Sequence, residues 1–97
     1  MSPLISIVIV NYNRESYLQE AIASVLTQTW QDFELLIWDD GSTDRSVAIA
    51  NKYAQQDRRV RVVQAHHQGV AAACKAAIAQ TSGIYIGIVD SDDILAP

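Results

Sequence analysis

The chain has 97 residues, 49% of them hydrophobic and 19% charged, with a formal net charge of -4. That is one domain at most, too apolar for a disordered tail and too acidic to supply the basic face that nucleic-acid binding needs, so no nucleic-acid partner is expected. A single cysteine, Cys74, allows no intrachain disulfide and no thiolate metal site, which suits a reducing compartment.

The first apolar run, Leu4–Val10, is too short for a membrane helix. It lacks the basic flank and small-residue cleavage site of a secretory signal, and a cytoplasmic location is expected. Asn11-Tyr12-Asn13-Arg14 follows it. Leu18, Ala21, Ile22, Val25 and Leu26 then share one helical face, with Glu15, Gln19 and Glu20 opposite. A second run, Phe33–Trp38, ends in Asp39-Asp40-Gly41-Ser42. The next segment, from about Asp44 to Gln56, carries Ile49, Ala50, Tyr53 and Ala54 as its apolar stripe. Ser42 or Thr43 is the expected cap, with Asp44 favourably placed in the first turn.

The basic cluster Arg58, Arg59 and Arg61 reads as a solvated turn into a third run, Val60–Gln64. After Ala65-His66-His67-Gln68-Gly69, the spacing predicts a helix over about Val70–Gln80, with Val70, Ala73, Cys74, Ala77 and Ile78 together and Gly83 as its stop. A fourth run, Ile84–Val89, delivers Asp90-Ser91-Asp92-Asp93, and the sequence ends at Pro97.

Strands and helices therefore alternate, and near-continuous apolar strands read as buried on both faces of a mostly parallel sheet. The expected fold is α/β, an open Rossmann-like sheet with right-handed crossovers. In the common order 3-2-1-4 the first and fourth strands meet at the topological switch point, where ligands of such sheets bind. Polar residues gather after the first, second and fourth strands, as that arrangement requires.

Alternate carboxylates such as Asp90 and Asp92, on a turn after a rigid strand, can face one hard divalent cation, Mg2+ or Mn2+. A polar strand-end turn followed by helix-capping acids accounts for the same residues, and both readings stand. Leu95 occupies the position where a calcium loop of the EF-hand type needs glycine. Asp39 and Asp40 can accept hydrogen bonds from a base or ribose, or form an ordinary turn and cap. No GxGxxG or GxxxxGK[ST] is present, so a diphosphate would be held by metal rather than by a glycine-rich helix start.

Tyr12 offers a ring to stack on a base or to pack at a strand end. Arg14 reads as a phosphate contact or a solvated first-turn residue. Adjacent His66 and His67 do not easily face one ion and read as solvated. Lys75 reads as a phosphate contact at the cleft or, more readily, as a solvent-face residue, and Cys74 reads as a small core residue rather than a nucleophile.

Together, SIVIVNYNRESYLQEAIASVLTQTWQDFELLIWDDGSTDRSV and GVAAACKAAIAQTSGIYIGIVDSDD resemble the nucleotide-binding half of the family 2 glycosyltransferases, with the GT-A fold. The order, the spacing and the Gln28-Thr29-Trp30 turn match, over essentially the whole chain. The resemblance implies a nucleoside-diphosphate-sugar donor, expected to be a UDP-sugar, and a saccharide or other hydroxyl acceptor. It places Asn11 and Tyr12 beside the base, Asp40 on the uracil or its equivalent, and Asp39 in support. Asp92 would be the direct metal ligand, with Asp90 on ribose or in the metal shell and Asp93 continuing the motif. Family members invert the anomeric centre by direct displacement, with an Asp or Glu as general base.

Two departures stand out. Ala73-Cys74-Lys75 replaces the family's usual Ala-Arg-Asn, which removes an arginine that could hold the donor. The family's domain also continues beyond its DxD motif, where the base and acceptor site lie. The expectation is therefore of residues 1–97 as the N-terminal donor-binding part of such a domain, truncated after the motif and without turnover alone. The full-length protein would be cytoplasmic or peripheral at the inner face of the membrane. Two rivals are a non-catalytic α/β fragment that self-associates and a receiver-like magnesium-binding phosphoacceptor module, whose acidic pair would follow the first strand instead.

Overall fold

The computed structural model describes residues 5–27, 32–81 and 85–90, the last segment as backbone. Leu4, Gly83, Ile84, the Gln28-Thr29-Trp30 turn, Asp92 and Asp93 lie outside the described residues, as does the side chain of Asp90.

Seven elements alternate as the apolar periodicity requires: β1 (Ile5–Asn11), α1 (Glu15–Leu26), β2 (Phe33–Asp39), α2 (Ser46–Gln56), β3 (Val60–Gln64), α3 (Val70–Ala79) and β4 (Tyr85–Asp90). The strands form one sheet in the order β3-β2-β1-β4. All pairings are parallel, with Asn11 opposite Asp39, Asp39 opposite Gln64 and Val10 opposite Asp90. The order reverses at β1, so the crevice between β1 and β4 is the switch point. A receiver-like sheet, ordered 2-1-3-4-5, would put β3 beside β1; here β3 lies on the far side of β2.

Both faces of the sheet are covered, and the alternation of side chains along each strand divides the core in two. Ile7 and Ile9 of β1 and Phe33, Leu35 and Ile37 of β2 pack with Leu18, Ala21, Ile22 and Val25 of α1 and Ala50 of α2. Val8, Val10, Leu36 and Trp38 point the other way, against Ala73 and Ala77 of α3. Each large aliphatic side chain so buried contributes about 1.5–3 kcal/mol relative to exposure. The two central strands hold most of them.

Four local expectations are corrected. Val70 is 63% exposed and does not join the stripe of α3, because it sits in the first turn, where the chain has just left the sheet edge. Neither Ser42 nor Thr43 caps α2: Ser42 is drawn into the turn after β2, and Asp44 accepts the Ser46 N–H instead, at 2.9 Å. Arg59 is not a solvated turn residue. Its guanidinium grips Asp57 through Nε and Nη2, at 3.1 and 2.7 Å, and lies 4.5 Å above the Phe33 ring. The fourth correction, at His67, belongs to the site.

Candidate functional site

The polar cluster at the carboxyl edge of the sheet is built from the strand ends outward. β1 and β2 run in register to Asn11 and Asp39, so these two side chains emerge side by side. Asn11 is fully buried and donates its amide to Asp39 Oδ1 at 3.3 Å. That bond assigns the amide orientation, since a carboxylate only accepts. Asp39, 2% exposed, also accepts from the Ser42 backbone at 2.8 Å and the Ser42 hydroxyl at 2.7 Å. Its carboxylate thus closes a side-chain turn over Asp39-Asp40-Gly41-Ser42.

A second strap joins the loops after β1 and β2. Asn13 adopts φ 51°, a left-handed conformation that asparagine tolerates better than most residues. Its side-chain oxygen accepts from Thr43 N–H at 2.7 Å, and its own N–H donates to Ser42 Oγ at 2.9 Å. Tyr12, one residue earlier, is turned out of the sheet and 43% exposed.

Asp40 reaches the other way, to the loop after β3. Although charged, it is 1% exposed. A buried carboxylate needs donors on both oxygens, and it has them. Gln68 N–H donates to Oδ1 at 2.9 Å and Gly69 N–H to Oδ2 at 3.0 Å. His67 Nδ1 lies 3.0 Å from Oδ2 and 3.1 Å from the Asp40 carbonyl oxygen. The imidazole stacks on Tyr12, with ring centroids 4.1 Å apart and planes at 27°. Gly41 makes this approach feasible: a Cβ there would stand 2.7 Å from the His67 nitrogen, and its φ of +80° suits only glycine well.

The structure thus brings Asn11, Tyr12, Asp39 and Asp40 together, with the backbone of Asp90 paired to Val10 on the adjoining strand. The expectation that His67 is simply solvated is corrected. His66 is exposed, but His67 is tied to Asp40 and Tyr12 while half of its side chain faces solvent. Sequence reading passed over it because neighbouring histidines on an edge-strand loop carry no ligand spacing. A usable signal lay in the glycines, since Gly41 and Gly69 flag two turns that approach closely. Lys75 is exposed, and Cys74 is half-buried against the α3-side core. An open groove of about 560 Å³ lies beside this cluster, with Tyr12, Arg14, Tyr17 and Asp44 among its lining residues. Among the described residues no helix is long and apolar enough to cross a membrane.

Known proteins resemble this chain in sequence and fold. GlyG of Streptococcus pneumoniae serotype 4, a glycosyltransferase, is 47% identical over 96 residues, which are 98% of this chain and 32% of that protein. The S. aureus TarS structure in complex with UDP-GlcNAc superposes with a TM-score of 0.85 at 31% identity, over 97% of this chain and 27% of that one. Glucosyl-3-phosphoglycerate synthase from Mycobacterium tuberculosis, in complex with Mn2+, UDP and glucosyl-3-phosphoglycerate, gives a TM-score of 0.74 at 28% identity, over 92% and 33%. The chain spans about a third or less of the length of the first curated relatives it matches. The sheet order and the GT-A neighbours agree on an α/β Rossmann-like fold. With the glycosyl transferase family 2 pattern matched over residues 6–97, the chain belongs to that family of enzymes.

Proposed function

We propose that this chain carries the donor site of a glycosyltransferase that moves a sugar from a nucleoside diphosphate, UDP in the first instance, to an acceptor hydroxyl. The observation that carries the reading is the convergence at one switch point of the Asn11-Tyr12 loop, the Asp39-Asp40 turn and the end of β4 at Asp90. TarS with UDP-GlcNAc and the synthase with UDP and Mn2+ support the choice of nucleotide.

In this reading Tyr12 offers a ring face to the base, and Asn11 and Asp39 fix the loops beside it. Asp40 is the acceptor that contacts the uracil or its equivalent. Asp90 and Asp92 would hold Mg2+ or Mn2+, and the donor set fits: carboxylate oxygens are hard ligands, and one or two of them leave positions for diphosphate oxygens. When bound, the cation supplies charge neutralisation of the diphosphate leaving group. The protein's own part is to bind and orient the donor at the sheet edge, so that an acceptor hydroxyl approaches the anomeric carbon from the face opposite the diphosphate. Direct displacement then inverts that centre. The base that takes the acceptor's proton is assigned to no residue of this chain.

Titration calorimetry with UDP, with and without Mn2+, tests the reading. We expect Mn2+ to tighten UDP binding at least tenfold and Asp92→Ala to abolish that gain. Binding that ignores both the metal and the substitution would sink the donor-site proposal.

A further inference from the structure

Asp40 is the acceptor that the donor base needs, yet it is 1% exposed. Something that covers it must move before a base can reach it. Gln68 N–H and Gly69 N–H donate to Oδ1 and Oδ2 from the backbone. An ionised carboxylate offers about four lone-pair sites, so these two bonds leave acceptor capacity to spare. His67 takes it, with Nδ1 3.0 Å from Oδ2 and 3.1 Å from the Asp40 carbonyl oxygen. Both of those atoms accept, so Nδ1 carries the proton. Among the described residues His67 is the only side chain bonded to this carboxylate. The same imidazole lies on Tyr12, with ring centroids 4.1 Å apart. Rings this close are in van der Waals contact, and no third ring fits between them.

A uracil that stacks on Tyr12 and donates its imide N–H to Asp40 makes the same two interactions. A base on the other face of Tyr12 would have the phenol ring and the imidazole between it and Oδ2. We infer that His67 is an internal occupant of the base subsite: its ring stands where the nucleobase would stand, and the two exclude each other. The inference rests on the donor-site reading above and adds to it an autoinhibitory contact made by this chain's own side chain. The exchange needs little motion. The His67 backbone packs on Gly41, where an added Cβ would lie 2.7 Å from the His67 nitrogen, and Gln68 and Gly69 hold the next two residues to Asp40. The side chain, by contrast, is already 54% exposed, so a change of rotamer uncovers both Tyr12 and Oδ2 without opening the loop. Apparent donor affinity is then the intrinsic affinity reduced by the fraction of molecules whose ring is turned out.

The test compares wild type with His67→Ala in calorimetric titrations with UDP and with inorganic pyrophosphate, both in Mn2+. We expect His67→Ala to bind UDP about tenfold more tightly, which corresponds to an open fraction of about 0.1 in wild type. Pyrophosphate has no base and should bind the two proteins alike. Proton NMR of wild type provides a readout that needs no variant. The His67 ring protons, shielded by Tyr12, should move downfield on saturation with UDP and stay in place with pyrophosphate. Unchanged or weaker UDP binding by His67→Ala overturns the inference while leaving the donor site standing. So does an equal gain for pyrophosphate, and so do His67 ring protons that UDP leaves unmoved. Absence of UDP binding by both proteins overturns this inference and the donor-site reading together.

Discussion

Gly41 shows how much of the site depends on one missing atom. Its positive φ and the 2.7 Å distance from a hypothetical Cβ to the backbone nitrogen of His67 are independent penalties. Backbone cannot swing aside as a flexible side chain does, so the β3–α3 loop would have to retreat. Gly41→Ala should cost about 1–3 kcal/mol, read as a lowered urea midpoint with an unchanged slope. It should also separate His67 from Asp40, visible as a shift of the His67 ring resonances. Gly69 differs: its φ is +95°, yet nothing lies within 4 Å of its would-be Cβ. There the cost of a side chain is backbone strain alone, and the smaller destabilisation of the two is expected.

Among the elements, the N-termini of α1 and α2 share one acceptor. Asp44 takes the Ser46 N–H on one oxygen at 2.9 Å and the Glu15 N–H on the other at 3.1 Å. Neither helix has a side-chain cap at its boundary residue, Arg14 or Arg45. A single carboxylate thus serves two sets of orphan donors and two positive dipole ends. Burial alone would raise the Asp44 carboxyl, but the hydrogen bonds it accepts from Ser46 and from the Glu15 backbone hold it below its ordinary value. Asp44→Ala should cost about 1–2 kcal/mol in chemical denaturation, the upper end of a lost cap, because two helices lose it together. Glu15 and Arg45, 3.9 Å apart on an exposed surface, should contribute little.

For the whole molecule, acid should act through two depressed carboxyls far apart in the fold. Arg59, through its side-chain hydrogen bonds and charge, lowers the Asp57 carboxyl at the α2–β3 turn against the opposing effect of burial. Asp44 is lowered at the helix N-termini. A depressed carboxyl contributes stability that is fully present above its unfolded value, near pH 4, and is lost as pH falls through the folded value. The urea midpoint should therefore hold from neutral pH to about pH 5 and drop below about pH 4. Asp57→Asn should flatten that drop and cost about 1–2 kcal/mol at neutral pH, since Arg59 then loses its charged partner over Phe33.

The sequence by itself determined the layered architecture. Runs such as Ile7–Val10 and Leu35–Trp38 are apolar at every position, and only a strand covered on both faces accepts that pattern, so helices must alternate with strands. It also located the acidic turns, because uncompensated carboxylates must leave the core where strands end. Tertiary structure decided how those acids are compensated. Asp39 and Asp40 are adjacent and chemically alike, yet each is buried by a different loop: Ser42 closes over one, while Gln68, Gly69 and His67, twenty-eight residues along the chain, close over the other. Likewise Ser42, Thr43 and Asp44 all have the chemistry of a helix cap, and the choice among them was made by Asn13 and Glu15 across the neighbouring loop. Hydrogen-bond partners contributed by another strand's loop leave no periodic trace in the local sequence. That is why His67, a member of the site, reads in the sequence as one of two solvated histidines.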